Sequence, residues 1–308
     1  MKDQMKQDYK KETDITRREF IKSSTAAAIG GTLLFGAPPA IFSSDGNNTN
    51  STVVLVRNKD VIDTNGTPRS QVVQEMLDQA VCALTGKADA VEGWKTFIKP
   101  SDIVGIKTNV WDPIATTTQV ESALKKRVLS TGVSTKNIAV ADRGILKMPI
   151  FKKATALINA RPMRTHHWAG VGSLIKNYIM FVPDPANYHG DACASLGKIW
   201  GYPLVKGKTR LNVLVMLTPQ FHGVGPHSFS PKYVWKYHGL LAGFDPVAVD
   251  TIGVQIIQAQ RNIYFGEERP LNPLPKHIKL ADTRYHLGNA NPEKIKLVKI
   301  GYDKDLLV

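Results

Sequence analysis

The sequence predicts an α/β fold, a single domain with a mixed, largely parallel sheet flanked by helices. Three observations lead there. Short apolar runs bounded by turn residues alternate with amphipathic stretches that carry helix caps, the pattern of strand–helix–strand units. The run 211–217 is almost wholly apolar, as expected of a strand covered on both faces. No internal repeat and no second linker divides the chain after residue 51.

The elements follow in order. Residues 53–56 read as a short apolar strand. Ser70 is placed to cap a helix whose apolar positions Val73, Met76, Leu77, Ala80, Val81 and Leu84 keep helical spacing, with Gly86 at its end. A short helix over 88–97 precedes a turn at 99–102 and a strand at 103–106. Thr118-Gln119-Val120-Glu121 has the form of a capping box for a helix ending at Gly132. Strands follow at 138–141 and 211–217. Asp245-Pro246 supplies a cap and a first-turn proline for a further helix. The lysine-bearing run 294–300 reads as an edge strand.

Ahead of this domain (52–308), residues 1–40 read as a twin-arginine signal segment and 41–51 as a polar linker. Arg17-Arg18 is followed by Phe20, Lys22 and a weakly apolar stretch over 23–35, closed by Pro38-Pro39. That stretch is shorter than the roughly 20 residues that span a bilayer, so no stable transmembrane span is expected after processing. The expected partner is the twin-arginine export machinery, and the expected location is the periplasm or cell envelope. Cleavage after Ala37 or Ala40, and a retained anchor, both stay open.

Composition narrows the function. Apolar residues make up 43% and charged residues 21%, ordinary globular usage. The net charge of +14 is spread along the chain without a block of five or six cations, and no nucleic-acid module is present. No nucleic-acid partner is expected; a small anionic ligand is. Cys82 and Cys193 are too few for a cysteine-ligated zinc or iron–sulfur site. Two unpaired thiols are the favoured reading over a Cys82–Cys193 disulfide. Cys82, inside a helical pattern, reads as a core residue.

The candidate chemistry lies after the predicted strands. Lys107 and Asn109 follow the strand at 103–106, Asp142 and Arg143 follow 138–141, and Gln220 and His222 follow 211–217. In open α/β sheets ligands bind beyond the carboxyl ends of the strands, so these remote groups can share one cleft. Asp250 has Val247, Val254 and Ile257 as helical neighbours, and a carboxylate on so apolar a stripe needs an arginine, a lysine or a metal as partner. His166, His167, His189, His222 and His227 are the other concentration; histidine is both a common metal ligand and an acid–base group. Of these, His166, His189 and His222 are the candidate metal ligands, although no spacing among them is a metal motif. The glycine-bearing run from Gly170 to Lys176-Asn177 opens a helix whose free amides and ammonium suit an anion. Close backbone packing explains its glycines equally well.

These residues also carry a resemblance. Val104-Gly105-Ile106-Lys107-Thr108-Asn109, Thr165-His166, Lys176-Asn177, Gly225-Pro226 and the run Leu241-Ala242-Gly243-Phe244-Asp245-Pro246-Val247-Ala248-Val249-Asp250 occur in order. Together they resemble the family catalogued as domain of unknown function 362, in its twin-arginine-exported branch. Leu84-Thr85-Gly86, Trp94-Lys95 and Asp142-Arg143 are also similar to that branch. The family pattern Lys-Thr-His is here Arg164-Thr165-His166, which keeps the charge but removes a base. Some members carry ferredoxin-like cysteine clusters; this chain has none, so no iron–sulfur cluster is expected.

Two functions follow as expectations. The first is an envelope enzyme acting on a small anionic substrate, with an unknown cofactor for which a metal ion is one candidate. Lys107, His166, Lys176, His222 and Asp250 would be its catalytic groups, and Asn109, Asp142, Arg143, Arg164 and Asn177 its substrate-binding groups. The second is a non-catalytic ligand- or metal-binding or maturation protein of the envelope.

Overall fold

Successive side chains of a strand point to opposite faces, so a sheet covered on both sides needs apolar residues at both parities. Residues 53–56 show the consequence. Val53 and Leu55 enter one apolar core, while Val54 and Val56 enter another on the opposite face. Both cores are large, and the sheet between them sets the position of every residue discussed below.

The computed structural model describes residues 50–223 and 229–308. The signal segment, the linker through residue 49, and His227 lie outside them. The elements are β1 (Ser51–Arg57), α1 (Ser70–Thr85), α2 (Ala90–Lys95), β2 (Val104–Lys107), α3 (Thr118–Ser130), β3 (Ile138–Ala141), α4 (Pro149–Lys153), β4 (Ala156–His166), β5 (Gly170–Gly172), α5 (Leu174–Asn177), β6 (Thr209–Gln220), β7 (Gly239–Gly243), α6 (Pro246–Phe265), α7 (Lys276–Thr283) and β8 (Ile295–Gly301). Short 3₁₀ turns fill much of the stretch between α5 and β6.

The strands form one mixed sheet in the order β3-β2-β4-β6-β7-β1-β8, with β5 paired to the end of β4. β3, β2, β4 and β6 run parallel to one another, as do β1 and β8; β7 is antiparallel to both its neighbours. Helices α1, α2 and α3 cover one face, through Met76, Leu77, Trp94 and Leu124. Helices α4 to α7 cover the other, through Phe151, Ile175, Val249, Ile256 and Ile278. The predicted fold class is the one observed. No helix among the described residues is long and apolar enough to cross a membrane.

Local expectations met the structure unevenly. Asp245 caps α6 as predicted, accepting hydrogen bonds from the amides of Val247 (2.8 Å) and Ala248 (3.0 Å). Gly86 ends α1 in the left-handed conformation, φ 69°. β8 is an edge strand with Lys296 and Lys299 exposed. The Thr118 capping box is corrected: the N-cap is Thr117, and no side chain caps that helix. α1 likewise begins at Ser70 with Arg69 as its cap and no side-chain bond. Both cysteines are free, as favoured, but Cys82 is only half-buried, its thiol facing the carbonyl of Ala88.

The longest departure is β4. Its sequence, ALINARPMRTH, places Asn, Arg, Arg, Thr and His among apolar residues and includes a proline, so it lacks the pattern of a central strand. It is nevertheless buried along its whole length beside β2 and β6. Pro162 sits at an irregularity, where the β4–β6 register shifts between Pro162 and Arg164. A strand missing one amide is tolerated at such a break.

Candidate functional site

The carboxyl ends of β2 and β3 and the second half of β4 lie side by side, because these three strands are adjacent and parallel. A cavity of about 270 Å³ opens there. Asn109, Asp142, Arg143, Arg161, Arg164, His166, Lys176, Asn177 and His189 contribute its polar lining, and Trp111, Ile179, Met180 and Pro185 complete it. A larger cavity of about 560 Å³ lies between α6 and α7, lined by residues such as Thr251, Val254 and Asn291. It holds no cluster of cations or histidines, so the smaller cavity is the chemical candidate.

Residues distant in sequence therefore meet as the strand-end argument expected. Lys107, at the end of β2, lies fully buried beneath the cavity floor. Its ammonium donates to the Asp142 carboxylate, to the Thr108 carbonyl (2.7 Å) and to Asn177 Oδ1 (3.3 Å). Burial pulls the Lys107 pKa down to about 8 while Asp142 pulls it back up. Burial also pushes the Asp142 carboxyl up. Lys107 and the Val110 amide more than reverse that, leaving it below the ordinary carboxylate range. The one carboxylate lining the cavity is thus already engaged.

The cations are less well matched. Arg161, Arg164 and Lys176 are each at least 95% buried. Arg161 Nη1 donates to the Ser173 carbonyl (3.3 Å), but its Nη2 finds no hydrogen-bond partner among the described residues. Arg164 donates through Nη1 to Asn109 Oδ1 (3.0 Å) and stacks on Trp111 at 4.0 Å, while its buried Nε finds no partner among the described residues. Lys176 Nζ contacts the thiol of Cys193 at 3.7 Å, a weak acceptor. Burial, opposed in part by Cys193 and reinforced by the two guanidiniums, lowers Lys176 to about 8. Arg143 is exposed at the rim.

His166 ends β4 with its Nδ1 accepting the backbone amide of Trp168 at 3.2 Å. A neutral ring that accepts at Nδ1 carries its proton on Nε2. Burial first, then the charges of Lys176 and Arg161, hold the ring far below the ordinary histidine range, so it stays neutral. His189 is lowered to about 4, by burial and by Lys176. Two neutral imidazoles thus flank a cluster of cations.

Asp250 is corrected in its partner. It is fully buried on α6 and accepts the amides of Leu174 (2.8 Å) and Ile175 (2.9 Å) at the start of α5. The helix start that suited an anion does receive one, from within the chain. Ser173 adds a further hydrogen bond to Asp250, and burial still raises the carboxyl to about 6. The buried His277 meets Ser173 Oγ at 3.1 Å. The set ties α5, and with it Lys176 and Asn177, to α6 and α7.

The glycines of β5 serve close packing. A Cβ on Gly172 would lie 2.6 Å from Arg161 Nη2, so only glycine leaves room for that guanidinium.

His222 does not join the group. Its Nδ1 lies 3.0 Å from Arg261 Nη1, its ring packs against Tyr233 and Phe265, and it does not line the cavity. His166, His189 and His222 therefore form no common ligand set. Among the described residues no group of three or more histidine, cysteine, aspartate or glutamate side chains is placed to hold a metal ion. A cavity lined by four cations also disfavours a metal cation. Sequence reasoning missed Arg161, concealed inside a strand without a strand's pattern. The two tryptophans gave no signal beyond their residue type.

Neither the curated proteins nor the solved structures give a match to this chain. Residues 137–255, which carry β4, α5, Lys176 and Asp250, match the family model described as Domain of unknown function (DUF362).

Proposed function

We propose that this chain is an exported envelope enzyme that binds a small oxyanion-bearing molecule in the cavity at the ends of β2, β3 and β4. One observation carries the reading. Arg161, Arg164 and Lys176 are buried around the cavity, Arg161 Nη2 and Arg164 Nε find no partner among the described residues, Lys176 meets only a thiol, and the one lining carboxylate among those residues is held by Lys107. Two like charges about 6 Å apart repel by about 3 kcal/mol at an effective dielectric of ~20. A carboxylate or phosphate group would reverse several such terms at once and meet the guanidinium forks in their preferred geometry.

The catalytic part of the reading rests on two proton states. His166 presents a neutral ring with its proton on Nε2, suited to donating a hydrogen bond to a developing negative charge. Lys176, near 8, exchanges a proton close to neutral pH. Lys107, Asp142, Asn109 and Asn177 orient these groups. Asp250 acts as a positioning residue. Export follows from Arg17-Arg18, Phe20 and the apolar run behind them.

A specific observation favours the non-catalytic alternative: among the described residues no serine, threonine or cysteine lines the cavity, so these residues supply it with no hydroxyl or thiol nucleophile. Native mass spectrometry of the exported form, followed by incubation with an excess of the anion it retains, separates the two. An enzyme converts many equivalents and loses turnover in His166→Ala. A carrier returns the anion unchanged, and that result would remove the enzyme reading.

A further inference from the structure

We infer that the ligand is not a bare ion but an oxyanion attached to a flat ring, which the protein receives on an aromatic shelf formed by Trp168 and His189. This deepens the anion-binding proposal and rests on it. The cavity lining has two chemical components. Arg161, Arg164 and Lys176 form the cationic one; Trp111, Ile179, Met180 and Pro185 belong to an apolar one. An inorganic ion would satisfy the first and leave the second against water. The volume of about 270 Å³ lies just below the ~300–1,000 Å³ of pockets that enclose drug-sized ligands, so there is room for more than one anionic group.

Trp168 shows where the ring would lie. It lies in the turn after His166, the last residue of β4, and His167, and remains 47% exposed. Its indole stands beside the cavity lining rather than in it, with its centroid 4.4 Å from that of His189 at a tilt of 54° and 6.1 Å from that of His166 at a tilt of 45°, and both histidines line the cavity. The imidazoles of His166 and His189 are parallel within 8°. Both rings are held neutral, so they add aromatic surface without adding charge to a site that already has it in excess. An exposed indole packed beside neutral imidazoles is a platform on which a planar group stacks, as bases do on the aromatic residues of single-strand binding proteins. The nearby guanidiniums and Lys176 then fix the ring's oxyanion, setting its orientation.

The test is calorimetric titration of the exported protein with inorganic phosphate, ethyl phosphate and phenyl phosphate. Phenyl phosphate is expected to bind at least about fivefold more tightly than ethyl phosphate, the lower end of one stacking contact. In Trp168→Ala that ratio is expected to fall toward one, and in Trp168→Phe to be largely restored. The alanine variant retains the backbone amide that His166 accepts, and the wild-type comparison stands even if that variant fails to fold. Equal affinities for ethyl and phenyl phosphate in the wild type would overturn the ring inference while leaving the anion site intact. Failure of all three to bind would overturn both.

Discussion

A buried lysine or arginine persists where something repays its lost hydration, and at Lys176 little among the described residues does so. Its nearest partner is a thiol at 3.7 Å, and the neighbouring guanidiniums oppose its charge. Lys176→Met, close in volume and uncharged, is therefore expected to hold or raise the melting temperature of the ligand-free protein. A gain of about 1 kcal/mol corresponds to roughly 2–4 °C. The same change should weaken sulfate binding by about tenfold or more; differential scanning and titration calorimetry read the two effects. The proton on Lys176 gives a second expectation. An anion favours the charged amine, whose pKa in the free protein is about 8. Sulfate affinity should then be nearly constant below pH 8 and fall by up to tenfold per unit above it, with proton uptake on binding. Sulfate is dianionic across that range, so the slope belongs to the protein, and it should flatten in Lys176→Met. At this scale Lys107, Asn109, Asp142 and Arg143 were singled out because they follow predicted strands, Lys176 and Asn177 from a glycine-bearing run, and Arg164 and His166 from the histidine concentration and the family pattern; the structure gathers them at one cavity, with Lys107 bonded to Asp142 and Asn177 of its lining. His222 was not separable from them in sequence, since nothing in its neighbours reveals that its ring turns toward Arg261 and Phe265.

The elements that place these residues are coupled through one carboxylate. Asp250 on α6 holds the first two amides of α5, so the positions of Lys176 and Asn177 depend on a residue some 75 positions away in sequence. Asp250→Ala would leave two buried donors unpaired, each costing about 1–3 kcal/mol. A stability loss of about 2–5 kcal/mol by urea denaturation is expected, together with weakened anion binding. Asp250→Asn, which keeps one acceptor, should fall between. Because burial raises the Asp250 carboxyl, its contribution to stability is largest below the usual carboxylate pKa and declines as pH climbs toward about 6. α6 is also pressed against the sheet: a Cβ at Gly253 would collide with Leu214, so Gly253→Leu is expected to force the helix outward and disturb the same contacts. Element reading succeeded where the chain obeys local rules, as at the Asp245 cap and Gly86. It failed at β4, where burying Asn159, Arg161, Arg164 and His166 removes the apolar signature by which a central strand is recognised. The strand carrying Arg161, Arg164 and His166 was hidden by those same polar residues.

Across the whole molecule, the parallel arrangement of β3, β2 and β4 turns local strand ends into one cationic rim. Short apolar runs and capped helices were enough to predict that sheet, but the strand order was not readable. It is set by long-range packing on both faces, in which β7 returns antiparallel between β6 and β1. The proposed export implies that the rim forms before translocation, since the twin-arginine route carries folded chains. Replacing Arg17-Arg18 by a lysine pair should retain the protein in the cytoplasm with its anion affinity unchanged, as cell fractionation and titration of both forms would show. The central claim is that buried cations at the rim await an oxyanion, and the most direct measurement is a crystal structure of the exported form grown in saturating sulfate. The account predicts a sulfate within hydrogen-bond distance of Arg161 Nη2, Arg164 Nε and Lys176 Nζ. A cavity occupied only by water under those conditions would contradict it.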